Sequence, residues 1–271
     1  MSLGPLMRWV RGHLVTIAAL LVMCYMLLPN VIVIAFSFNK PNGNYNYEWQ
    51  RFSLDAWTNP CGTPGMCDAL GLSLRIGLIA TLVATIFGTM VAFAIGRHRF
   101  RGRSSTNLLI FLPMATPEVV MGSMLLTLFI AMGVAPGTVT ILIAHILFCL
   151  SFVVVTVKAR IASLDPRLEQ AAADLFANPL QTFVRVTLPL VAPGIAAGAL
   201  LAFSLSFDDY IITNFNASPS SVTFPMFVWG AAQRGTPVQI NVIGTVMFLA
   251  ALALVAAGQL ISNRRARGAA A

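Results

Sequence analysis

The sequence predicts an all-α, polytopic membrane protein with six transmembrane helices and both termini on the cytoplasmic side. Three observations predict it. The 271-residue chain is 58% hydrophobic and 10% charged, with a mean hydropathy of +0.82, which is too apolar for an ordinary soluble domain. Its apolar residues gather into six runs of about 20 residues or more, the length a helix needs to cross the ~30 Å of a bilayer's hydrocarbon. Its 17 basic residues cluster at the ends of those runs, as topology signals do. The net charge of +8 therefore does not indicate nucleic acid, because no segment interleaves dense basic residues with aromatics.

The first span covers about 14–36, behind Arg8 and Arg11. Ala35-Phe36-Ser37 resembles a signal-peptide cleavage site, but the run exceeds the ~7–15 residues of a signal core, so a retained span is expected. Residues 39–68 are polar and rich in Asn, Gly and Pro, and read as an external loop. Its Tyr45, Tyr47, Trp49, Phe52 and Trp57 suit either a docking surface or an interfacial aromatic belt. Cys61 and Cys67 lie in this loop as CGTPGMC, and an oxidising compartment would make them a short disulfide loop. Cys24 and Cys149 fall inside apolar runs and read as packing residues.

The second span, about 71–96, ends in the dense basic turn RHRFRGR, Arg97–Arg103. The third, about 107–132, contains Pro113, Pro117 and Glu118, and the fourth, about 138–157, contains His145, which reads as a packed, hydrogen-bonded residue rather than a ligand. Residues 158–189 form a soluble loop, followed by a fifth span at about 190–214. An external segment with a short helix near Phe227–Arg234 leads to the sixth span, about 239–261. The whole chain, 1–271, is expected to be a single domain. An even number of spans puts Arg8, Arg11, Arg97, Arg99, Arg101, Arg103, Lys158, Arg160, Arg167, Arg185, Arg264, Arg265 and Arg267 inside, and only Lys40, Arg51, Arg75 and Arg234 outside. That asymmetry places the termini and the 158–189 loop in the cytoplasm.

Within that loop, LDPRLEQAAADLFANPLQTFVRVTLP, Leu164–Pro189, reads as two short helices. Asp165 and Pro166 suit the start of the first, and Asn178 and Pro179 repeat the signal. Leu168, Ala171, Ala172 and Leu175 form one apolar stripe. The small alanines fit a groove on a protein partner better than a lipid surface.

No phosphate-binding loop is present, since neither Lys40 nor Lys158 follows the required glycines, and there is no nucleophile elbow or metalloprotease helix. The chain is thus expected to bind no cofactor or metal and not to be an enzyme. The remaining chemical signals are carboxylates at membrane depth, Glu118, Asp208 and Asp209, which are expensive there and suit a path for a cation. The bland readings are that Glu118 bonds backbone freed by Pro117, and that the Asp pair marks a helix end.

The Leu164–Pro189 segment resembles the EAA loop of permease subunits of binding-protein-dependent ABC transporters. It matches that pattern at Ala171, Ala172, Asp174, Leu175, Ala177, Leu188 and Pro189. It departs where Gln170 replaces the motif Glu, with Glu169 just before it, and where Phe176 replaces the motif Gly. Because Asn tolerates turn geometry, the bend is expected one or two residues after Phe176, aided by Asn178. Ser204–Phe215, SLSFDDYIITNF, and Leu112–Gly122, LPMATPEVVMG, are similar to stretches of spermidine/putrescine permeases. The resemblance implies an importer subunit of a bacterial cytoplasmic membrane that works by alternating access. The implied partners are a second permease, two ATPase subunits that use ATP and Mg, and an extracytoplasmic binding protein. It also implies that Glu169, Asp174 and Arg185 make polar contacts around the ATPase groove. The alternatives are a permease for another solute, such as iron, an organophosphonate or another organic ion, and an ATPase-independent channel or carrier.

Overall fold

An apolar segment that cannot give its backbone hydrogen bonds to water must close them internally, and among the described residues the long apolar segments do so as helices. The computed structural model describes the backbone of residues 5–98 and 100–268 and the side chains of 13–98 and 100–258. Arg8, Arg11, Arg99, Arg264, Arg265 and Arg267, which bear on the expected orientation, lie outside the described side chains. In order, the helices are α1 (Pro5–Phe36), α2 (Asp55–Thr58), α3 (Met66–Arg97), α4 (Arg103–Ala115), α5 (Glu118–Ala131) and α6 (Thr138–Ala162). Next come α7 (Arg167–Asp174), α8 (Pro179–Thr182), a π-helical turn (Phe183–Thr187), α9 (Leu188–Asp208), α10 (Ile211–Asn216), α11 (Phe224–Arg234) and α12 (Val238–Gly268). Among the described residues the only β-type pairing is an isolated bridge between Asn39 and Phe52.

Five helical stretches are long and apolar enough to span a membrane, and the α4–α5 pair makes a sixth if it counts as one bent span. That pair corrects the continuous third span expected from sequence. The chain turns by 108° between the two helices. Pro117 has no N–H for an α-helical bond and drives Thr116 into extended geometry, with φ −81° and ψ 129°. The fifth span is corrected too. Its helix stops at Asp208, Asp209 is extended, and α10 starts afresh at Ile211.

The chain divides into two compact units, residues 1–64 with 228–271, and residues 65–227. In the first, α1 pairs with α12, and residues 37–53 fold back on themselves. The Asn39 side chain is buried and central to that fold-back. Its Nδ2 donates to Asn46 Oδ1 at 2.7 Å and to the Glu48 carbonyl at 2.8 Å, and its Oδ1 accepts from Gln50 N at 2.9 Å. Phe38 stacks between Phe52 and Trp57 with centroids 5.8 and 5.3 Å away, so part of the aromatic set is an internal cluster. Lys40 pairs with Asp55 and holds that carboxyl below the usual carboxylate range.

In the second unit, α3, α6 and α9 form the core. Hydrocarbon gives apolar helices no reason to associate, so close backbone approach through small residues must supply the packing. Buried Ala84, Gly88 and Ala92 on α3, and Gly194, Gly198 and Ala202 on α9, provide it. The pairings Gly88 with Val153 and Gly96 with Ile161 show that α3 and α6 run in the same sense. Gly198 against Val153, and Gly194 against Arg160, show that α9 runs opposite. The Arg160 side chain lies across Gly194 and donates from Nε to the Leu190 carbonyl at 3.0 Å.

A Cβ on Gly194 would stand 2.5 Å from Arg160 Cβ. Gly194→Ala should therefore lower stability by about 1–3 kcal/mol, read as a lower melting temperature in detergent. Gly71→Ala, where an added Cβ meets nothing within 4 Å, should leave it unchanged.

Candidate functional site

Two places in the second unit concentrate polar chemistry, one at each end of the α3–α6–α9 core. The first is the break between α9 and α10. A chain that leaves a helix strands backbone donors at the next helix start, and here a carboxylate meets them. Asp209 Oδ1 accepts from Ile212 N at 3.2 Å, and Oδ2 accepts from Thr213 N at 2.8 Å and from Thr213 Oγ1 at 2.8 Å. His145 of α6 reaches the same cluster. Its Nδ1 lies 2.7 Å from Ser206 Oγ, and its Nε2 lies 2.9 Å from Thr213 Oγ1 and 3.3 Å from Asp209 Oδ2. His145, Ser206, Asp209 and Thr213 are all buried. Asn216 closes the cluster, donating to the Ile212 carbonyl at 2.8 Å while its own carbonyl accepts from Thr140 Oγ1 at 2.8 Å.

The sequence pair Asp208–Asp209 is thus split. Asp209 faces inward with its charge met by protein donors, whereas Asp208, the last residue of α9, is exposed and forms no ion pair among the described residues. Glu118 is exposed as well and opens α5, where a negative charge favours the helix start. α10 packs along α5: an added Cβ on Gly122 would meet Phe215 and the Ile212 backbone, and Asn216 Nδ2 donates to the Gly122 carbonyl at 3.4 Å. Gly137 N, beyond the end of α5, also donates to the Asn216 carbonyl at 3.0 Å. A separate hollow of about 540 Å³ under the α4–α5 bend is lined by Leu109, Ile110, Met121, Leu125 and Leu147 and carries no carboxylate.

The second place is the elbow, about 22 Å from His145 by the rise of α6 to Arg160. Asp165 Oδ1 accepts from Arg167 N at 2.9 Å at the start of α7. Asn178 caps α8 by accepting from Gln181 N at 2.8 Å, and Gln181 Oε1 accepts from Asn178 N at 3.0 Å. The bend between them falls on Phe176 itself, with φ 59°, and not one or two residues later. The reason is the way α7 closes. Phe176 N donates to the Ala173 carbonyl at 2.9 Å and Ala177 N to the Ala172 carbonyl at 3.1 Å, and this closure demands a left-handed residue directly after the cap. The same closure ends α5, where Gly133 supplies φ 73°. A phenylalanine in that region carries a cost of about 1–2 kcal/mol.

The stripe read from the sequence splits in the fold. Ala172 is buried, while Leu175, Phe176 and Leu180 are 82%, 97% and 72% exposed, forming an apolar tip. Gln170, Ala171, Asp174, Arg185 and Pro189 are exposed around it. Glu169 turns inward instead. Its Oε1 lies 2.8 Å from Arg97 Nη2 at the end of α3 and accepts from Thr187 Oγ1 at 2.8 Å. A cleft of about 370 Å³ lies beside that link, lined by Phe93, Arg97, Glu169, Pro179 and Phe183. Between α2 and the start of α3, Cys61 and Cys67 are disulfide-bonded, and Cys24 and Cys149 are free thiols. Sequence reasoning found the Asp pair and the elbow. It did not find the partners of His145 or the Arg97–Glu169–Thr187 link, which join residues far apart in the chain and leave no local pattern.

Among the described residues, helices long and apolar enough to span a membrane, one broken span and an amphipathic elbow define a multi-pass membrane protein. The chain belongs to the family of binding-protein-dependent transport system inner membrane components, whose model matches residues 74–268, and it is a permease subunit of an ABC importer. It is 33% identical over 261 residues to the spermidine/putrescine transport system permease protein PotC of Escherichia coli strain K12, covering 96% of this chain and 97% of that one. It is 35% identical over 245 residues to the putrescine transport system permease protein PotI of the same strain, covering 88% and 86%. Among solved structures, its fold is similar to a bacterial alginate ABC transporter in complex with alginate pentasaccharide-bound periplasmic protein. That match has a TM-score of 0.65 and 16% identity and covers 92% of this chain and 93% of the other.

Glu169→Ala would strip Arg97 of its carboxylate and Thr187 of its acceptor. The amides of residues 167–177 should then exchange hydrogen about tenfold faster, the equivalent of one lost charge-assisted bond of ~1.4 kcal/mol. Asp174→Ala, at an exposed position, should leave them as they are.

Proposed function

We propose that this chain is the permease subunit of a polyamine importer in a bacterial cytoplasmic membrane, with the elbow on the cytoplasmic side. The observation that carries the reading is the exposed Asp208 carboxylate beside a fully satisfied Asp209, within a chain alike over nearly its whole length to permeases named for spermidine and putrescine. A carboxylate at membrane depth needs a cation or a cavity to offset its desolvation, and a polyamine is a flexible chain of such cations. Glu118, at the start of the α5 helix that α10 packs against, supplies a second negative charge, and Asp209 supports the path from behind.

The elbow is where two ATPase subunits, which bind ATP and Mg, would drive this permease and a second, similar one. Leu175, Phe176 and Leu180 enter the ATPase groove, and Gln170, Asp174 and Arg185 make its polar rim. Glu169 links the elbow to α3 through Arg97, while α9 continues directly from the π-turn. α9 is ~32 Å long by its rise, so a tilt of ~10° at the elbow carries Asp208 ~5 Å. That lever converts closure of the ATPases into alternating access at the carboxylates. An extracytoplasmic binding protein delivers substrate at the opposite face, as a periplasmic protein is seen to accompany the alginate transporter.

In vesicles holding the assembled transporter, Asp208→Asn should cut ATP-dependent spermidine uptake about tenfold or more, the scale of one lost charge contact at ~1.4 kcal/mol or above. The ATPase should still co-purify, and undiminished uptake would remove Asp208 from the path. Phe176→Gly keeps the left-handed bend but deletes the ring, so it should weaken ATPase capture about tenfold or more, as loss of a central aromatic anchor does.

A further inference from the structure

His145 is a buried imidazole that no step above uses, and its bonds fix its orientation. Thr213 has one hydroxyl proton, and Asp209 Oδ2, which can only accept, lies 2.8 Å away. That proton therefore goes to the carboxylate, and Thr213 Oγ1 is left as an acceptor toward His145 Nε2 at 2.9 Å. Nε2 therefore donates toward Thr213, and Nδ1 pairs with Ser206 Oγ at 2.7 Å. The imidazole thus links Ser206 on one side to Thr213 and Asp209 on the other. Ser206 belongs to α9 and Thr213 to α10, so the imidazole of α6 bridges the break itself.

We propose that His145 is a positioning residue for Asp208. The chain between Ser206 and Thr213 contains the extended Asp209, with φ −63° and ψ 124°, and no helical bond fixes the angle at which α10 departs. His145 fixes it from outside by holding one residue on each side. With Asp209 drawn inward by that relay, the preceding residue on the α9 helix is turned away from the core, which is where Asp208 stands exposed. Without the imidazole, α10 is still held through Asn216 and its packing on α5, but its side-chain tie to Ser206 of α9 is lost and the two carboxylates no longer keep distinct roles. This inference rests on the reading of Asp208 as the substrate carboxylate, but the placement of Asp208 can be measured without substrate.

The test uses the assembled transporter with Cys24→Ser, because Cys149 is buried and Cys61 and Cys67 are disulfide-bonded. In that background Asp208→Cys is labelled with a trimethylammonium thiosulfonate, with His145 intact, as His145→Phe and as His145→Gln. The phenyl ring fills the space without bonding, whereas the Gln amide can accept from Ser206 and donate to Thr213. His145→Phe should change the labelling rate about tenfold, one buried bonded contact at ~1.4 kcal/mol, and His145→Gln should restore it to within about threefold. With Asp208 present, His145→Phe should raise the KM for spermidine by a similar factor with kcat little changed, since uniform binding is lost. Equal labelling rates in the His145 transporter and its His145→Phe variant would overturn the proposal. If His145→Phe does not assemble, Ser206→Ala with Thr213→Val empties both ends of the relay, and the same two rates decide. Should Asp208→Asn leave uptake intact while the labelling rates differ as expected, the path reading fails and the positioning role stands.

Discussion

A carboxylate that has given up water must find its donors in the protein, and much of this unit's architecture follows from how Asp209 finds them. Two donors come from the backbone of the next helix and one from the Thr213 hydroxyl, with the His145 imidazole behind them. Those donors exist only because the fifth span breaks, since an unbroken helix would have used the Ile212 and Thr213 amides in its own ladder. The break in turn requires α10 to lie against α5, which Gly122 permits by having no side chain to obstruct Phe215. α5 can reach that position because Pro117 turned the chain by 108°. A buried charge, a glycine and a proline in three separate segments therefore form one arrangement.

At the other end the constraint is mechanical. The elbow leaves α6 and returns through a π-turn into α9, and Glu169 ties it laterally to Arg97. The π-turn is a wide, strained form that helices adopt at functional positions. The left-handed Phe176 is strained as well, and its ring is 97% exposed. An exposed ring in a costly backbone conformation suits a surface whose purpose lies outside this chain. The small-residue packing of α3, α6 and α9 makes the connection between the two ends stiff, because backbones in close contact leave little room to absorb a displacement.

Particular elements show what could be read in advance. The Ala-rich elbow was legible because caps and prolines are local signals, and Asn178 with Pro179 act in the fold as they read in the chain. The bend was misplaced because residue preference pointed to Asn178, whereas the hydrogen-bond closure of α7 imposes positive φ on whichever residue follows the cap. Hydropathy makes the third and fifth spans continuous because it reports length and not direction, although Pro117 marks the bend of the third. His145 read as a bonded histidine, and it is one, but its partners lie 61 and 68 positions away.

Composition, the apolar runs and the clustering of arginines by themselves determined an all-helical, multi-pass membrane protein, because burial in lipid forces helices and charges are costly there. Only the tertiary structure decided that neighbouring aspartates face opposite ways, that Glu169 looks inward to Arg97, and that Phe176 carries the turn. Each of these depends on which donor or acceptor a distant helix brings within about 3 Å, and hydrogen bonds of that range are set by packing rather than by sequence spacing.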